Sequence, residues 1–236
     1  EMGMNLAVNA ALFVGAGFVL VKSIRGIDYD SLEDLEQKSL AKQAGAWALE
    51  GCVPTRLEVA DDDGGTSATY EVATFAGGCF WGTELTFQRI PGVIATCVGY
   101  TQGAIQRPNY EQVCSGTTGH TEAIQLIYDP NECSYERLLN ALFNTINPTL
   151  VNRVNNDMGT QYRHGVYPHT NEQQIAADSF FETLRNKYET RGEGPIVTEL
   201  KDAAVFWPAE NYHQRYLEKR GQSAEKDCEE KVRCYG

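Results

Sequence analysis

The sequence contains no Cys-x-x-Cys pair, although it has seven cysteines. A structural zinc site would show paired ligands at short spacing, and a secreted disulfide framework would be shorter and denser in cysteine. We therefore predict no metal site and several free thiols, of which two or three are reactive. Five cysteines are scattered and two lie together in the tail: Cys52, Cys79, Cys97, Cys114, Cys133, Cys228 and Cys234.

Positive charge is also scarce, since 20 Lys and Arg residues stand against 32 Asp and Glu residues. Nucleic-acid binding needs clustered basic side chains, so the net charge of -12 argues against that function. An acidic balance of this kind is typical of a solvated surface. The 236 residues, 42% of them hydrophobic, suffice for one catalytic domain with extensions.

Charged residues are absent from residues 4–21, MNLAVNAALFVGAGFVLV. This length is about what a helix needs to span a hydrocarbon core of roughly 30 Å. We favour a membrane anchor within residues 1–25, with Lys22 and Arg25 placing the remaining chain on the stromal or cytoplasmic side. Small residues along residues 4–21 would let a membrane-protein partner approach closely. A signal or transit segment and a buried soluble helix are the alternatives.

Residues 26–69 predict an amphipathic helix followed by a linker. The helix covers residues 28–50, where Ser31 and Asp34 resemble a capping box. An imperfect apolar stripe is expected to pack against the rest of the protein; it comprises Leu32, Leu35, Leu40 and Trp47. Residues 60–69, ADDDGGTSAT, are polar and rich in turn formers.

Residues 70–217 predict a catalytic domain, and residues 218–236 a tail. Helices and strands alternate there in an α+β, two-layer pattern. The loop at 147–163 is long enough to suggest a functional role. Strands are expected at 70–76, 92–100 and 121–128, and helices at 79–89, 134–146 and 171–190, with Ser134 and Thr170 capping the last two.

Cys79 is the candidate nucleophile. It follows Gly77 and Gly78, which allow a sharp turn from strand to helix. A thiol at a helix N-terminus meets unpaired N–H groups, which favour the thiolate and lower the thiol pKa. A buried structural cysteine is the alternative.

The stretch GCFWG (78–82) resembles the active-site motif of A-type peptide methionine sulfoxide reductases. The resemblance extends over about residues 70–217 through GYTQG (99–103), RPNYEQVCSGTTGHTE (107–122), YDP (128–130), NDMGTQYR (156–163) and AENYHQRYL (209–217). It implies a two-layer α/β sandwich with a ferredoxin-like core. It also implies reduction of the S epimer of methionine sulfoxide in oxidised proteins or peptides.

The same resemblance implies the residue roles. Cys79 attacks the sulfoxide sulfur, and Glu122 supplies a proton to the oxygen, because partial burial raises a carboxyl pKa and keeps it protonated. The other implied pocket residues are the oxygen-binding Tyr110 and Tyr162, the acid Asp157 in the same network, and Phe80 and Trp81, which hold the substrate methyl group.

The product on Cys79 would be a sulfenic acid, which a second thiol must attack. The tail KDCEEKVRCYG (226–236) resembles plastid-type members with two recycling cysteines. That resemblance implies a Cys79–Cys228 disulfide first and a Cys228–Cys234 disulfide second, which thioredoxin or another dithiol reduces. No cofactor is implied. The sequence departs from the family pattern at Ile146, Asn147, Val154, Asn155, His164 and Gln102, which puts rate and substrate range in doubt.

Two other functions compete with a membrane-tethered reductase. An accessory structural subunit of a membrane complex, for example a photosynthetic one, would explain the apolar span, and the plastid-like tail favours a chloroplast thylakoid. A cysteine hydrolase would need a histidine paired with Cys79, and no histidine lies in a matching motif.

Overall fold

A computed structural model describes residues 18–19, 38–60 and 66–234. The predicted membrane anchor lies outside these ranges except for Phe18–Val19, which form a strand rather than part of a helix. The predicted helical residues 28–37 and linker residues 61–65 also lie outside them. In the described ranges, no helix is both long enough and apolar enough to cross a membrane.

The longest strands belong to one mixed sheet, and a small hairpin lies beside it. The strands are β1 (Phe18–Val19), β2 (Arg56–Ala60), β3 (Thr66–Gly77), β4 (Val93–Thr101), β5 (Thr121–Tyr128), β6 (Arg153–Val154), β7 (Asp157–Met158), β8 (His164–Tyr167), β9 (Glu199–Leu200) and β10 (Trp207–Pro208).

The helices connect these strands and cover their faces. They are α1 (Lys38–Leu49), α2 (Phe80–Gln88), α3 (Tyr110–Cys114), α4 (Tyr135–Phe143), α5 (Asn171–Thr190) and α6 (Tyr216–Lys219), together with a 3-10 turn at Thr160–Tyr162. Ser134 and Thr170 cap α4 and α5 through side-chain oxygens that accept backbone N–H groups.

The sheet runs in the order β1-β2-β3-β5-β4-β10, and β8 joins β3 to β9. The central pairs β3–β5 and β4–β5 are antiparallel, with Tyr100 opposite Glu122. Because side chains alternate along a strand, Glu122 shares a face with Ile124 and Leu126. This face packs against α2, so the carboxyl group lies under the start of that helix.

Each face of the sheet has its own apolar core. The first contains Phe75, Ile124 and Leu126 from the sheet, with Phe80 and Leu142 from the helices. The second contains sheet residues covered by α1: Leu40, Ala44 and Trp47 pack on Val72, Ala76, Ala95, Ala123 and Ile127. Helix α1 therefore covers the second face, as expected for the apolar stripe that includes Leu40 and Trp47.

His169 attaches the segment after α1 to this sheet. Its Nδ1 lies 2.6 Å from the carbonyl oxygen of Pro54, and its Nε2 lies 2.8 Å from the Thr74 hydroxyl. A carbonyl oxygen can only accept, so Nδ1 carries the proton and Nε2 accepts from Thr74. Burial lowers the pKa of His169 to about 4, which keeps the ring neutral.

Candidate active site

Cys79 stands at the turn between β3 and α2, as the N-cap residue of the helix. Gly78 has φ of +77°, and a Cβ there would lie 2.5 Å from the Val154 side chain. Only glycine tolerates both the positive φ and the close approach of Val154, because it has no Cβ. The hairpin β6–β7 therefore closes directly over the turn, and Cys79 is left 9% exposed.

The pKa of Cys79 is raised, not lowered as predicted from the helix terminus. A hydrogen bond with the Cys234 thiol, burial and the nearby Glu122 carboxyl raise it, in that order, and only the Trp81 backbone N–H acts in the opposite direction. The shared thiol–thiol hydrogen bond lowers the pKa of Cys234. The prediction was wrong because the local helix effect is smaller than the tertiary surroundings of the thiol.

Glu122 is the buried carboxyl of the pocket, at 2% exposure. Its Oε2 accepts a hydrogen bond of 3.0 Å from the Phe80 backbone N–H. Burial raises the pKa of Glu122 to about 8, and the nearby Asp157 and Cys234 add to that rise. The carboxyl is therefore largely protonated at neutral pH, beside the nucleophile.

Tyr110 and Tyr162 lie near this carboxyl, because its charge acts on both hydroxyls. Tyr110 opens α3, where its hydroxyl donates to the Cys114 thiol and its backbone N–H donates to Glu210 over 2.9 Å. Tyr162 ends the 3-10 turn that follows Gly159. Burial raises the pKa of both tyrosines, and the charge of Glu122 acts on both in the same direction. Both remain neutral hydrogen-bond donors at physiological pH.

Asp157 belongs to the same cluster, because its charge acts on Glu122, Tyr162 and Cys234. It lies on β7, next to the hairpin turn over Gly78. The structure thus brings together the five residues that sequence motifs predicted for catalysis: Cys79, Glu122, Tyr110, Tyr162 and Asp157.

Phe80 and Trp81, which were predicted as an aromatic wall for the substrate, begin α2, and side chains of the last motif support Trp81. Phe80 is buried, and Trp81 stacks on Tyr216 with ring centroids 3.9 Å apart. The Trp81 indole N–H donates to His213 Nδ1 over 3.1 Å. His213 also packs against Tyr110, at 4.5 Å between centroids. The position of His213 and Tyr216 within one motif, AENYHQRYL, was the available signal.

The tail places Cys234, not Cys228, at the nucleophile. The Cys234 thiol hydrogen bonds with Cys79 and with the backbone N–H of Gly82. A Cβ at Gly82 would lie 2.4 Å from Cys234 Sγ. Cys228 takes no part in the hydrogen bonding described for Cys79, and its own N–H closes a turn with Glu225. This geometry favours Cys79–Cys234 as the first disulfide, in place of the predicted Cys79–Cys228.

Comparisons with known proteins identify the family of the chain. The family model described as peptide methionine sulfoxide reductase matches residues 71–234. The chain belongs to this family. The enzyme class predicted from the motifs, peptide-methionine (S)-S-oxide reductase, is confirmed by these matches.

Plant members of the family are closely similar. Peptide methionine sulfoxide reductase A2-1 of Oryza sativa subsp. japonica is 50% identical over 176 residues, covering 75% of this chain and 92% of the relative. Peptide methionine sulfoxide reductase A4, chloroplastic, of Arabidopsis thaliana is 48% identical over 180 residues, covering 74% and 68%. The structure of methionine sulfoxide reductase A of Corynebacterium diphtheriae matches with a TM-score of 0.61 at 33% identity, covering 65% of this chain and 76% of that one.

Glu84 is a second buried carboxyl of this reductase, and the motifs gave no hint of it. It is 1% exposed and lies on α2. Its two oxygens accept from the Thr96 hydroxyl over 3.1 Å and from the Arg215 backbone N–H over 2.8 Å. Burial raises its pKa to about 7. Glu84 therefore fastens the segment that carries His213 and Tyr216 to the helix that carries Trp81.

The departures from the family pattern fall on residues that pack or shape loops. Ile146, Val154 and His164 are buried, and His164 Nε2 donates to the Leu150 carbonyl over 2.8 Å. Asn147 Oδ1 accepts from the Thr149 backbone N–H and hydroxyl. In the described ranges, no group of three His, Cys, Asp or Glu side chains could hold a metal ion.

Proposed function

We propose that this reductase acts on methionine S-sulfoxide in oxidised proteins or peptides through a Cys79 sulfenic acid, and that Cys234, Cys228 and thioredoxin recycle it. The single observation that carries the proposal is the position of the Cys79 thiol, in contact with a second thiol and beside a buried, protonated carboxyl. This arrangement supplies a nucleophile, an acid and a resolving thiol in one pocket.

In the first step the Cys79 sulfur attacks the sulfoxide sulfur, and the S–O bond of the substrate breaks. The substrate becomes a thioether, methionine, while the oxygen ends on Cys79 as a sulfenic acid. The Cys79 thiol loses its proton and the sulfenic acid gains one, so the step is neutral in protons. The substrate is reduced by two electrons and Cys79 is oxidised by two.

Glu122 provides the proton that the developing oxyanion needs. Its Oε2 accepts from Phe80, which leaves the second oxygen to carry the acidic hydrogen. A pKa of about 8 keeps that hydrogen in place at neutral pH. Tyr110, Tyr162 and Asp157 complete the polar side of the pocket, and Phe80 and Trp81 form the apolar side for the methyl group.

In the recycling steps Cys234 attacks the Cys79 sulfenic acid, which releases water and forms a Cys79–Cys234 disulfide. Cys228 then attacks Cys234, which frees Cys79 and leaves a Cys228–Cys234 disulfide. We prefer this order to the one first implied by resemblance, because the Cys234 thiol already contacts Cys79. A thioredoxin dithiol is the proposed final reductant.

A plastid location is part of the proposal. It is supported by the plastid-like tail and by the similarity to an Arabidopsis relative whose name includes the word chloroplastic. The membrane tether at residues 4–21 and a thylakoid partner rest on the apolar sequence alone. Carbonate extraction of isolated chloroplast membranes tests the tether, because a spanning chain stays with the membrane. The accessory-subunit alternative is not favoured, because the catalytic constellation is complete.

The full chain can be tested with a methionine S-sulfoxide peptide in the absence of reductant. The wild-type enzyme should form two methionines per chain, because Cys79 is freed once by disulfide exchange. Cys79→Ser should form none, and Cys228→Ser should form one and stop as a Cys79–Cys234 disulfide. Absence of any methionine with the folded wild-type chain would contradict the reductase proposal.

The order of recycling is decided by the Cys234→Ser variant in the same assay. It should also form one methionine, but stop as a sulfenic acid that dimedone traps. A Cys79–Cys228 disulfide in this variant, formed as fast as the disulfide in Cys228→Ser, would restore the order first implied by resemblance.

A further inference from the structure

Arg89 links the body of the reductase to both ends of the tail. It follows the last residue of α2 and is 7% exposed. Its Nε donates to the Ser223 carbonyl over 2.9 Å, and its Nη1 donates to the Glu230 carbonyl. A guanidinium group holds its donors in one rigid plane. The two bonded carbonyls therefore have fixed positions relative to each other and to α2.

Two more residues fasten the same stretch of tail to the end of α2, through three hydrogen bonds. Lys226 Nζ donates to the Gln88 carbonyl over 2.7 Å and to the Val93 carbonyl over 2.6 Å. The Asp227 N–H donates to the carbonyl of Arg89 itself over 2.8 Å. The tail therefore contacts Arg89 at Ser223, Asp227 and Glu230 before it continues to Cys234.

Gln222 closes this loop immediately before the recycling thiol. Its Nε2 donates to the Arg233 carbonyl over 2.7 Å, and its Oε1 accepts from the Arg233 N–H over 3.0 Å. Residue 222 begins the loop and residue 233 ends it, one position before Cys234. Arg89 lies inside the loop, bonded to residues 223 and 230.

We propose that Arg89 is a positioning residue for recycling, which fixes the loop 222–233 so that Cys234 rests against Cys79. This inference rests on the proposed recycling function. Holding two reacting groups at contact distance replaces a search by the tail with a step between neighbours, which is a large rate advantage. Sulfoxide reduction takes no reacting group from the loop, and loss of the Cys234 hydrogen bond would lower the Cys79 pKa rather than raise it further. Arg89→Met should therefore slow the second step without slowing the first.

The burial of Arg89 explains why another cation would not serve as well. Its side chain lies away from solvent, and two of its nitrogens, Nε and Nη1, donate to carbonyls rather than to a carboxylate. A lysine has one donor nitrogen at the end of a flexible stem, so it cannot place two separate nitrogens at the two carbonyls in the fixed plane that Nε and Nη1 of Arg89 share. Arg137 provides a contrast: it reaches the tail at Asp227 over 3.6 Å, through an ion pair whose side chains are 46% and 73% exposed.

The test compares Arg89→Met and Arg89→Lys with the wild type, and uses Arg137→Met as a matched control. In each full-length protein, methionine release reports the first step. Mass spectrometry of quenched samples reports the Cys79–Cys234 disulfide, and dimedone reports unreacted sulfenic acid. A Cys228→Ser background stops the reaction at that disulfide and keeps the readout simple.

For Arg89→Met we expect first-methionine release no slower than in the wild type and a disulfide rate lower by on the order of tenfold to a hundredfold, with trapped sulfenic acid accumulating. Arg89→Lys should be intermediate, and Arg137→Met should match the wild type. Dithiothreitol, which reaches the sulfenic acid without the tail, should restore turnover.

Two results would overturn the proposal. One is an unchanged disulfide rate in Arg89→Met. The other is an equal fall in both steps, which would mean that Arg89 only supports the fold; Arg89→Lys decides this question if Arg89→Met does not fold. Failure of the wild-type chain to release methionine would instead contradict the reductase function itself, so the two failures are distinguishable.

Discussion

Substituting Gly82 by alanine should separate the two halves of the catalytic cycle. Gly82 lies in α2, one turn beyond Cys79, and a Cβ there would lie 2.4 Å from Cys234 Sγ. Nonbonded heavy atoms rest at about 3.5–4.0 Å, so Cys234 would have to retreat by at least about 1 Å. The retreat would also weaken the hydrogen bonds from Cys79 and from the Gly82 N–H.

A displacement of about 1 Å between reacting groups can lower a rate on the order of a hundredfold. We therefore expect Gly82→Ala to form the Cys79–Cys234 disulfide on the order of a hundredfold more slowly, and to lose thioredoxin-dependent turnover to a similar degree. Release of the first methionine should not slow, because the added methyl group is directed at Cys234 and a weaker Cys234 hydrogen bond would lower the Cys79 pKa. Folding should not suffer, since alanine is favoured over glycine in a helix by about 0.5–1 kcal/mol.

The assay is rapid-quench mass spectrometry of the disulfide in the absence of reductant, beside methionine release in the same samples. Gly45→Ala is the matched control, because Gly45 is also helical but its nearest neighbour, Pro208 Cγ, would lie 3.9 Å from the new Cβ. Disulfide formation by Gly82→Ala at the wild-type rate would refute the assignment of Cys234 as the first recycling thiol.

Three other substitutions test the buried groups. In the wild type, the unfolding free energy should fall by about 2–3 kcal/mol from pH 5 to pH 8, because the pKa of Glu84 is about 7 in the folded chain and 4.5 ordinarily. Glu84→Gln can keep both hydrogen bonds but cannot ionise, so it should not show this fall. Thermal or urea unfolding across this pH range measures the difference. Glu122→Gln should slow first-methionine release on the order of a hundredfold to ten-thousandfold. The wild-type rate should decline as pH rises through about 8, where Glu122 ionises, and the residual rate of the variant should not decline there; a shared alkaline decline would point to another group. His213→Phe removes the acceptor of the Trp81 indole N–H, so the KM for a sulfoxide peptide should rise about tenfold with little change in kcat; equal KM values would remove His213 from the substrate pocket.

Much of the secondary structure could be predicted because its signals are local. The alternating stretch 121–128 and the capped stretch 171–190 coincide with β5 and α5. Strand β3 begins four residues earlier than predicted, at Thr66 rather than at residue 70. The short strands β8, β9 and β10 were not predicted, because two to four residues carry too little pattern and are fixed only by their partners in the sheet.

In the candidate site, too, local sequence signals could be predicted and tertiary contacts could not. Motif resemblance named the cluster around Cys79 and Glu122, because those residues lie within recognisable stretches. It did not reveal which tail thiol lies at Cys79, because that choice depends on Arg89 and Lys226 meeting carbonyls far away in sequence. The predicted fall in the Cys79 pKa was wrong for a related reason: the helix N-terminus is local, whereas Cys234 and Glu122 reach the thiol only through the fold.

The cover that α1 forms over the second face of the sheet determines where this enzyme can be shortened. A fragment that begins at residue 70 would lack Leu40, Ala44 and Trp47, and would turn an apolar sheet surface towards water. It would also lose the Pro54 carbonyl that holds His169. Such a fragment is expected to aggregate during expression and purification. Residues from 38 onward belong in any soluble derivative, even though the chemistry begins at Cys79.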